Sequence, residues 1–464
     1  MPRPATLLVV CLALLTSLVA GCGGDSTSPE NDGPASFEKM IGSTPSHKTV
    51  ATAVTVLSDG TRMVCGDFDG TLHVTGSTDS IISGGGERNF FAAFRPDGSV
   101  SLLTTLGGSG VRMRRMARDP DDNLLLVGSF GGSTNFSGVS LTAVGLDIIF
   151  AKLDRTGHAS WVQAGSGSGT DEGKDIATAS DGSIYMTGVA SGEMKVAGED
   201  IGQNAHPTGF VVKMGSNGVG VWQGTATVSA ASSECNGVAI SENGNIVVSG
   251  TYNTGSVDFS GDVLPDDGGF DAFVGRFLPD GTPLGSIHIG GAGAAFATDV
   301  TTLGNDAVVT GAITGDADFD VNSTAGNVTS AGDLDTFVAR YAPGGTLRWV
   351  RMFTGQNNLG LSISRLSGDH ILVCGQFLNS VTAGSTTLTS EGNSDIFIAI
   401  LDGNGKVLSA HKVGGGGSEN DATTAAAGST AIIVGQSDSK DLIFPGGIHR
   451  HKFGTFDSYI FQQP

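Results

Sequence analysis

Asp335 to Trp349 reads DTFVARYAPGGTLRW, and the fold follows from its copies. Phe337, Ala339 and Tyr341 alternate with Val338 and Arg340, the period of a strand with two distinct faces. Pro343-Gly344-Gly345 then presets a reversal, because proline fixes φ and glycine tolerates positive φ. Leu347 and Trp349 begin a return strand, so the stretch is a β-hairpin. Close copies run from Asp271 (DAFVGRFLPDG), Asp395 (DIFIAILDGNG) and Asp147 (DIIFAKLDRTG). Worn copies run from Thr208 (TGFVVKMGSNG) and Arg88 (RNFFAAFRPDG), and a last one, DSYIF from Asp457, reaches the C-terminus.

A second marker sets the period. Short apolar strands end at Gly66, Gly128, Gly188, Gly250, Gly311, Gly375 and Gly435, with spacings of 62, 60, 62, 61, 64 and 60. A constant period of tens of residues marks a solenoid, propeller or array. Each repeat holds four strands; in the third they are predicted at Lys174–Ala179, Ile184–Gly188, Phe210–Met214 and Val219–Gly224. Radial four-stranded blades make a β-propeller. The period exceeds that of WD40 and kelch repeats. The surplus lies between strands two and three, in loops expected to project from one face.

The two ends of the repeat array complement each other. ASFEKMIGS from Ala35 matches ASWVQAGSG from Ala159, so residues 36–41 are an outer strand with no blade of their own. The last repeat stops at Phe461 after its third strand. The expectation is an all-β, seven-bladed propeller of four-stranded antiparallel blades over residues 35–464, closed by the N-terminal strand completing the last blade. Closure removes an open sheet edge that would otherwise template aggregation.

The residues also resemble a family, the bacterial β-propeller repeat (SBBP). Its hallmarks resemble an Asp before the third strand, a Phe-Val-Ala-Lys-like strand, an Asp-Gly turn and then Trp. FDAFVGRFLPDG and LDTFVARYAPGG are close matches, and DIIFAKLDRTGHASW fits. Arg88 and Thr208 depart from the Asp, and four blades lack the Trp. The resemblance implies an extracytoplasmic, often lipoprotein-borne propeller and brings no catalytic set with it.

Residues 1–21 form a signal: Arg3, then an unbroken apolar run from Leu7 to Leu15, too short to span a bilayer. Val19-Ala20-Gly21-Cys22 resembles the lipobox of bacterial lipoproteins, which implies lipidation of Cys22. Gly23 rather than Asp follows, which implies outer-membrane or cell-surface placement, and two or more acyl chains anchor stably. Residues 22–34 read as a lipid-attached flexible tether.

Formal net charge is −21, which disfavours nucleic acid by long-range repulsion and favours solubility. Cys65, Cys235 and Cys374 are expected as buried thiols without a disulfide, since Cys65 and Cys374 sit in repeats that are not neighbours. The repeated Asp reads as a cap on loop N–H groups rather than a ring of ligands. Asp316, Asp318, Asp320 and Asn322 in GDADFDVN alternate like the first ligands of a calcium loop, but Val321 replaces the usual glycine and Asn327 the closing acid. A solvated loop is the competing reading. His449 and His451 share a face if extended, without further ligands near in sequence. The glycine-rich stretches lack a P-loop continuation. No cofactor is expected beyond that calcium.

Function is therefore expected to be non-enzymatic: a membrane-anchored binding or scaffold protein taking a protein, peptide or glycan on propeller loops, as a monomer. The alternatives are a cation-dependent envelope or adhesion protein, and a polysaccharide hydrolase or lyase.

Overall fold

In the computed structural model the described residues are 37–44, 47–228, 231–320, 326–330, 333–445, 447–451 and 453–463. They hold antiparallel β-strands and no α-helix. Cys22, the signal and the tether lie outside them.

One meander recurs. Glu172–Thr178 pairs with Ile184–Val196, which pairs with Glu199–Met214, which pairs with Gly220–Val228. The same order starts again from Thr49, Val111, Ser232, Ala295, Leu359 and Glu419. Each first strand packs against the first strand of the next meander, and Glu419–Ala427 packs against Thr49–Val56. Phe37–Ser43 pairs antiparallel with Asp457–Gln463, from Phe37 opposite Gln462 to Ile41 opposite Ser458.

The glycines that mark the period have a steric cause. A Cβ on Gly66, Gly128, Gly188 or Gly250 would overlap the carbonyl oxygen of Val50, Arg112, Glu172 or Glu234 in the first strand. That carbonyl comes close because every first strand carries a bulge beside it. Register shifts fall between Ala51 and Ala53, Met113 and Arg115, Gly173 and Asp175, Cys235 and Gly237, Ala297 and Asp299, Gly360 and Ser362, and Asn420 and Thr423. A bulge leaves a residue unpaired and turns its side chain away from the ladder.

The long connections between strands two and three do not simply project. They fold into hairpins that reach back to the last strand of the preceding meander. Thr71–Val74 pairs with Phe37–Ser43, Val257–Phe259 with Ala226–Val228, and Leu442 and Ile443 with Gly415 and Gly414. Single contacts do the same at Phe136 with Gly107 and at Asp318 with Gly290. Alternation explains the departure: Leu72, Val74, Val257, Phe259, Leu442 and Phe444 are all buried. Burying them while satisfying an otherwise bare strand edge stabilises both elements. These links merge meanders into sheets of up to ten strands.

The repeated Trp joins neighbours on the opposite side. Trp161, Trp222 and Trp349 donate from Nε1 to Ser216 O, Pro279 O and Gly403 O in the next turn, at 3.2, 3.1 and 3.0 Å. Gly405 has φ +77, and a Cβ there would stand 2.8 Å from the Trp349 ring. Thus one glycine serves both the turn and the ring that covers it. Phe37 takes the Trp place at the chain start: a Cβ on Gly98 would stand 2.5 Å from its ring, and the Arg62 guanidinium lies 4.8 Å from its centroid. Trp349→Phe keeps the apolar cover and loses the Nε1 bond, so it should cost about 1 kcal/mol in urea unfolding. An unchanged midpoint would show that the bond contributes nothing.

The three described cysteines are free and buried. Cys65 and Cys374 belong to different hydrophobic clusters, and burial pushes both thiols up.

Candidate functional site

The repeated aspartates are loop braces. Asp147, Asp271, Asp335, Asp395 and Asp457 are all buried. Each accepts from at least one backbone N–H of a neighbouring loop or strand segment: Asp147 from Val144 (3.2 Å), Asp271 from Asp267 (3.2 Å), Asp335 from Gly355 (2.9 Å), Asp395 from Glu391 (3.1 Å) and Asp457 from Gly454 (3.0 Å). A carboxylate suits this task because its oxygens accept charge-assisted bonds, and Asp457 takes both the Phe453 and the Gly454 N–H. In the worn copies other chemistry stands in. Arg88 Nε donates to Ser83 O at 2.9 Å, and Thr208 Oγ1 to His206 O at 3.0 Å.

The acidic stretch after Gly315 lies on the hairpin of the fifth meander. Asp316–Asp318 pairs with Asn327–Thr329. Thr329 Oγ1 donates to Asp316 at 2.5 Å, and the Asp320 N–H to Asp318 Oδ1 at 2.8 Å. Ala317 between them is buried, so Asp316 and Asp318 share the outer face. Asn322 lies outside the described residues. Among the described residues no group of three His, Cys, Asp or Glu side chains stands together as a metal cluster. His449 pairs with Ile443, and His451 with Asp441, across the hairpin of the last meander.

The bulges create a different site. Arg114, Lys174, Asn236, Thr298 and Leu361 are the unpaired residues of successive first strands, with Thr52 before them and Asp421 after. Two buried acids follow the bulges. Asp175 accepts from Ile176 N and Val238 N, each at 2.8 Å. Asp299 accepts from Val300 N (2.8 Å), Ile363 N (3.0 Å) and Ser362 Oγ (2.8 Å). Each therefore ties its strand to the first strand of the next meander. Arg115 stands 3.9 Å from both. Burial, then the charge of Asp299, pushes Asp175 up to about 7. Burial raises Asp299 against the pull of Arg115. With their oxygens taken by backbone donors, the two are braces rather than an acid–base pair.

Beside them is a cavity of about 290 Å³ lined by Thr52, Arg112, Arg114, Arg115, Leu361 and Asp421, and by Lys48, Asp67, Glu87 and Gln436. Arg114 is 3.3 Å from Glu172, which also meets Lys174 at 2.9 Å. Asp67 is buried and accepts from Asn89 Nδ2 at 2.5 Å. Burial, then Glu87, pushes its carboxyl up to about 7, opposed by Arg112. Asp421 sits at φ 51, a strained region for a non-glycine residue and one that clusters at functional sites. Its carboxyl is raised by desolvation against the pull of Arg114 and Arg112, and Gln436 Nε2 donates to it. Glu87 also lines a second cavity of about 460 Å³, with Arg88 and Asn135, so the two adjoin.

Three of the arginines come from one strand, Val111–Arg118, which reads VRMRRMAR. Sequence reasoning passed over it. Four arginines in eight residues stand out in a chain with 25 basic residues and 46 acidic ones, a charge pattern that marks the strand.

No family profile matches the sequence. An uncharacterized WD repeat-containing protein of Acanthamoeba polyphaga mimivirus is 22% identical over 373 residues, 67% of this chain and 23% of that protein. The chain thus spans under a quarter of that relative. The architecture is a repeat β-propeller. Among solved structures, virginiamycin B lyase from Staphylococcus aureus matches at 9% identity and TM-score 0.43, over 93% of this chain and 100% of that one. The Pan2 WD40 domain of Neurospora crassa matches at 10% and 0.37, over 76% and 89%. Superpositions this loose add nothing to the fold, which rests on the strand pairings.

Proposed function

We propose that the chain is a closed, seven-bladed β-propeller, lipidated at Cys22, which works as a non-enzymatic binding module of the bacterial envelope through the mouth of its central channel. The ring reading is supported by seven recurring meanders, by the cyclic packing of their first strands and by Phe37–Ser43 completing the meander that ends at Gln463. The binding reading is carried by one observation: side chains freed by bulges line a charged cavity where the first strands meet, while the deepest acids are spent on backbone bonds. A preformed concave site with a few convergent polar groups is suited to holding a ligand.

Two experiments test it. The full chain, used as bait on envelope extract, should enrich a protein or glycan that Arg112→Ala/Arg114→Ala fails to enrich. Equal capture by both would move the binding surface elsewhere. Separately, Cys22→Ser should shift the protein from the detergent phase to the aqueous phase. Unchanged partition would remove the lipid anchor. A second reading, a hydrolase or lyase acting on polysaccharide, is favoured by Asp67, which near neutral pH is partly protonated beside Arg112. It requires turnover of an acidic polysaccharide that Asp67→Asn abolishes.

A further inference from the structure

The lining of the cavity beside the bulges inverts the charge balance of the whole chain. Against a net −21, its lining brings Lys48, Arg112, Arg114 and Arg115 together with three acids, Asp67, Glu87 and Asp421. Of those acids, Asp67 is partly uncharged near neutral pH because burial pushes its carboxyl up to about 7. The basic groups are not equally occupied. Arg114 is taken up by Glu172, Arg115 by the two bracing aspartates, and Lys48 stands 3.7 Å from Glu87. The Arg112 guanidinium makes no hydrogen bond or ion pair with a described residue; Asp67 and Asp421 feel its charge only through space. A second group is equally idle. Thr52 Oγ1, on the bulge of the first meander, is buried without a hydrogen-bond partner and belongs to a side chain that lines the same cavity. A buried hydroxyl left unpaired is costly, and a rotation about χ1 that turns it to the cavity would let a ligand oxygen relieve it.

Resting on the binding reading above, we propose that this cavity holds the carboxylate of an acidic sugar residue, with Arg112 as the fork for the carboxylate and Thr52 as the hydroxyl partner. A planar guanidinium matches a carboxylate through two parallel N–H bonds. The volume of about 290 Å³ suits a sugar unit, and the lining contains no aromatic side chain. Polar groups from Gln436, Lys48 and Glu87 remain near for ring hydroxyls. A peptide terminus would call for aromatic anchors, and the lining has none.

The test is calorimetric titration of the purified full chain with sodium glucuronate, glucose and N-acetyl-dialanine. Saturable binding of glucuronate is expected, with glucose and the peptide acid at least tenfold weaker. Arg112→Ala should weaken glucuronate about tenfold or more, since a charge-assisted bidentate contact is lost. Thr52→Val, which keeps the volume, should weaken it several-fold. Arg112 is exposed at the cavity wall, so an unchanged thermal melt will confirm that the variant is folded. The inference is overturned if glucose or the peptide acid binds as tightly as glucuronate, if glucuronate does not bind, or if neither variant changes its affinity. Envelope capture that depends on Arg112 and Arg114 but shows no response to glucuronate would overturn this inference alone. Loss of both would also overturn the binding reading.

Discussion

Ile41→Asp should destabilise the protein by more than about 4 kcal/mol and loosen both ends of the chain together. Ile41 is fully buried. It pairs with Ser458 on one side and Val74 on the other, and it packs in a cluster with Val54, Leu72, Val434 and Ile460. Those four partners come from opposite ends of the sequence. An aspartate there must either be desolvated as an anion or be protonated at a cost. Ile41→Val, which removes one methylene, should cost about 1 kcal/mol and serves as the control. The readout that separates a closing strand from an ordinary core residue is hydrogen exchange. In Ile41→Asp the amides of Asp457–Gln463 and of Thr71–Val74 should lose protection first. Those amides keeping full protection, with a melt like that of the wild type, would mean that Phe37–Ser43 does not hold the ends.

The repeat was open to reading because its markers are steric. Gly66 and its equivalents through Gly375 are glycine because a first-strand carbonyl occupies the place of a Cβ, and at Gly435 the Tyr459 hydroxyl occupies it. The Trp four residues past the turn was legible as a position, though not as a bond to the next turn. Phe37 could be placed as an outer strand because ASF matches ASW in the second meander. Three things were less visible. The hairpins between strands two and three show period two in TLHV and DLIF, but these stretches are only four residues long. Their partners lie in the preceding meander. Bulges have no composition of their own: Thr52, Arg114, Lys174 and Leu361 share a position and no chemistry. The charged cavity was therefore hidden, since it depends on which residue of each first strand is left unpaired. Asp175 and Asp299 were unmarked for the same reason, because their partners Val238 and Ile363 are 63 and 64 residues on.

Glu419→Gln should change how stability depends on pH more than it changes stability at low pH. Glu419 is completely buried. It accepts from Ser437 Oγ at 2.6 Å, Ser439 Oγ at 2.5 Å and Gly415 N at 3.0 Å. Burial pushes its carboxyl up to about 8, with Asp395 adding to the rise and the hydroxyl donors opposing it. Lys412 offsets little, because it lies against Asp395 at 3.5 Å and Glu391 at 2.9 Å. Unfolded, the same carboxyl titrates near ~4.3. Between those two values the folded protein holds a proton that the unfolded chain has released, so stability falls as pH rises through the window. The contribution is complete below about 4 and gone above about 8. Glutamine keeps the neutral form at every pH, and its NH₂ cannot accept from Gly415 N, a loss of about 1 kcal/mol. Wild type and variant should therefore be about equally stable at pH 5, where the unfolded carboxyl is already mostly ionised, and wild type should be the less stable by a few kcal/mol at pH 9. Asp67, Asp171 and Asp175 are raised in the same direction, but they are common to both proteins and cancel in the comparison. Urea midpoints at pH 5, 7 and 9 measure the divergence. Two curves that run parallel across that range would show that Glu419 is ionised in the folded state throughout, held by its three donors in spite of its burial.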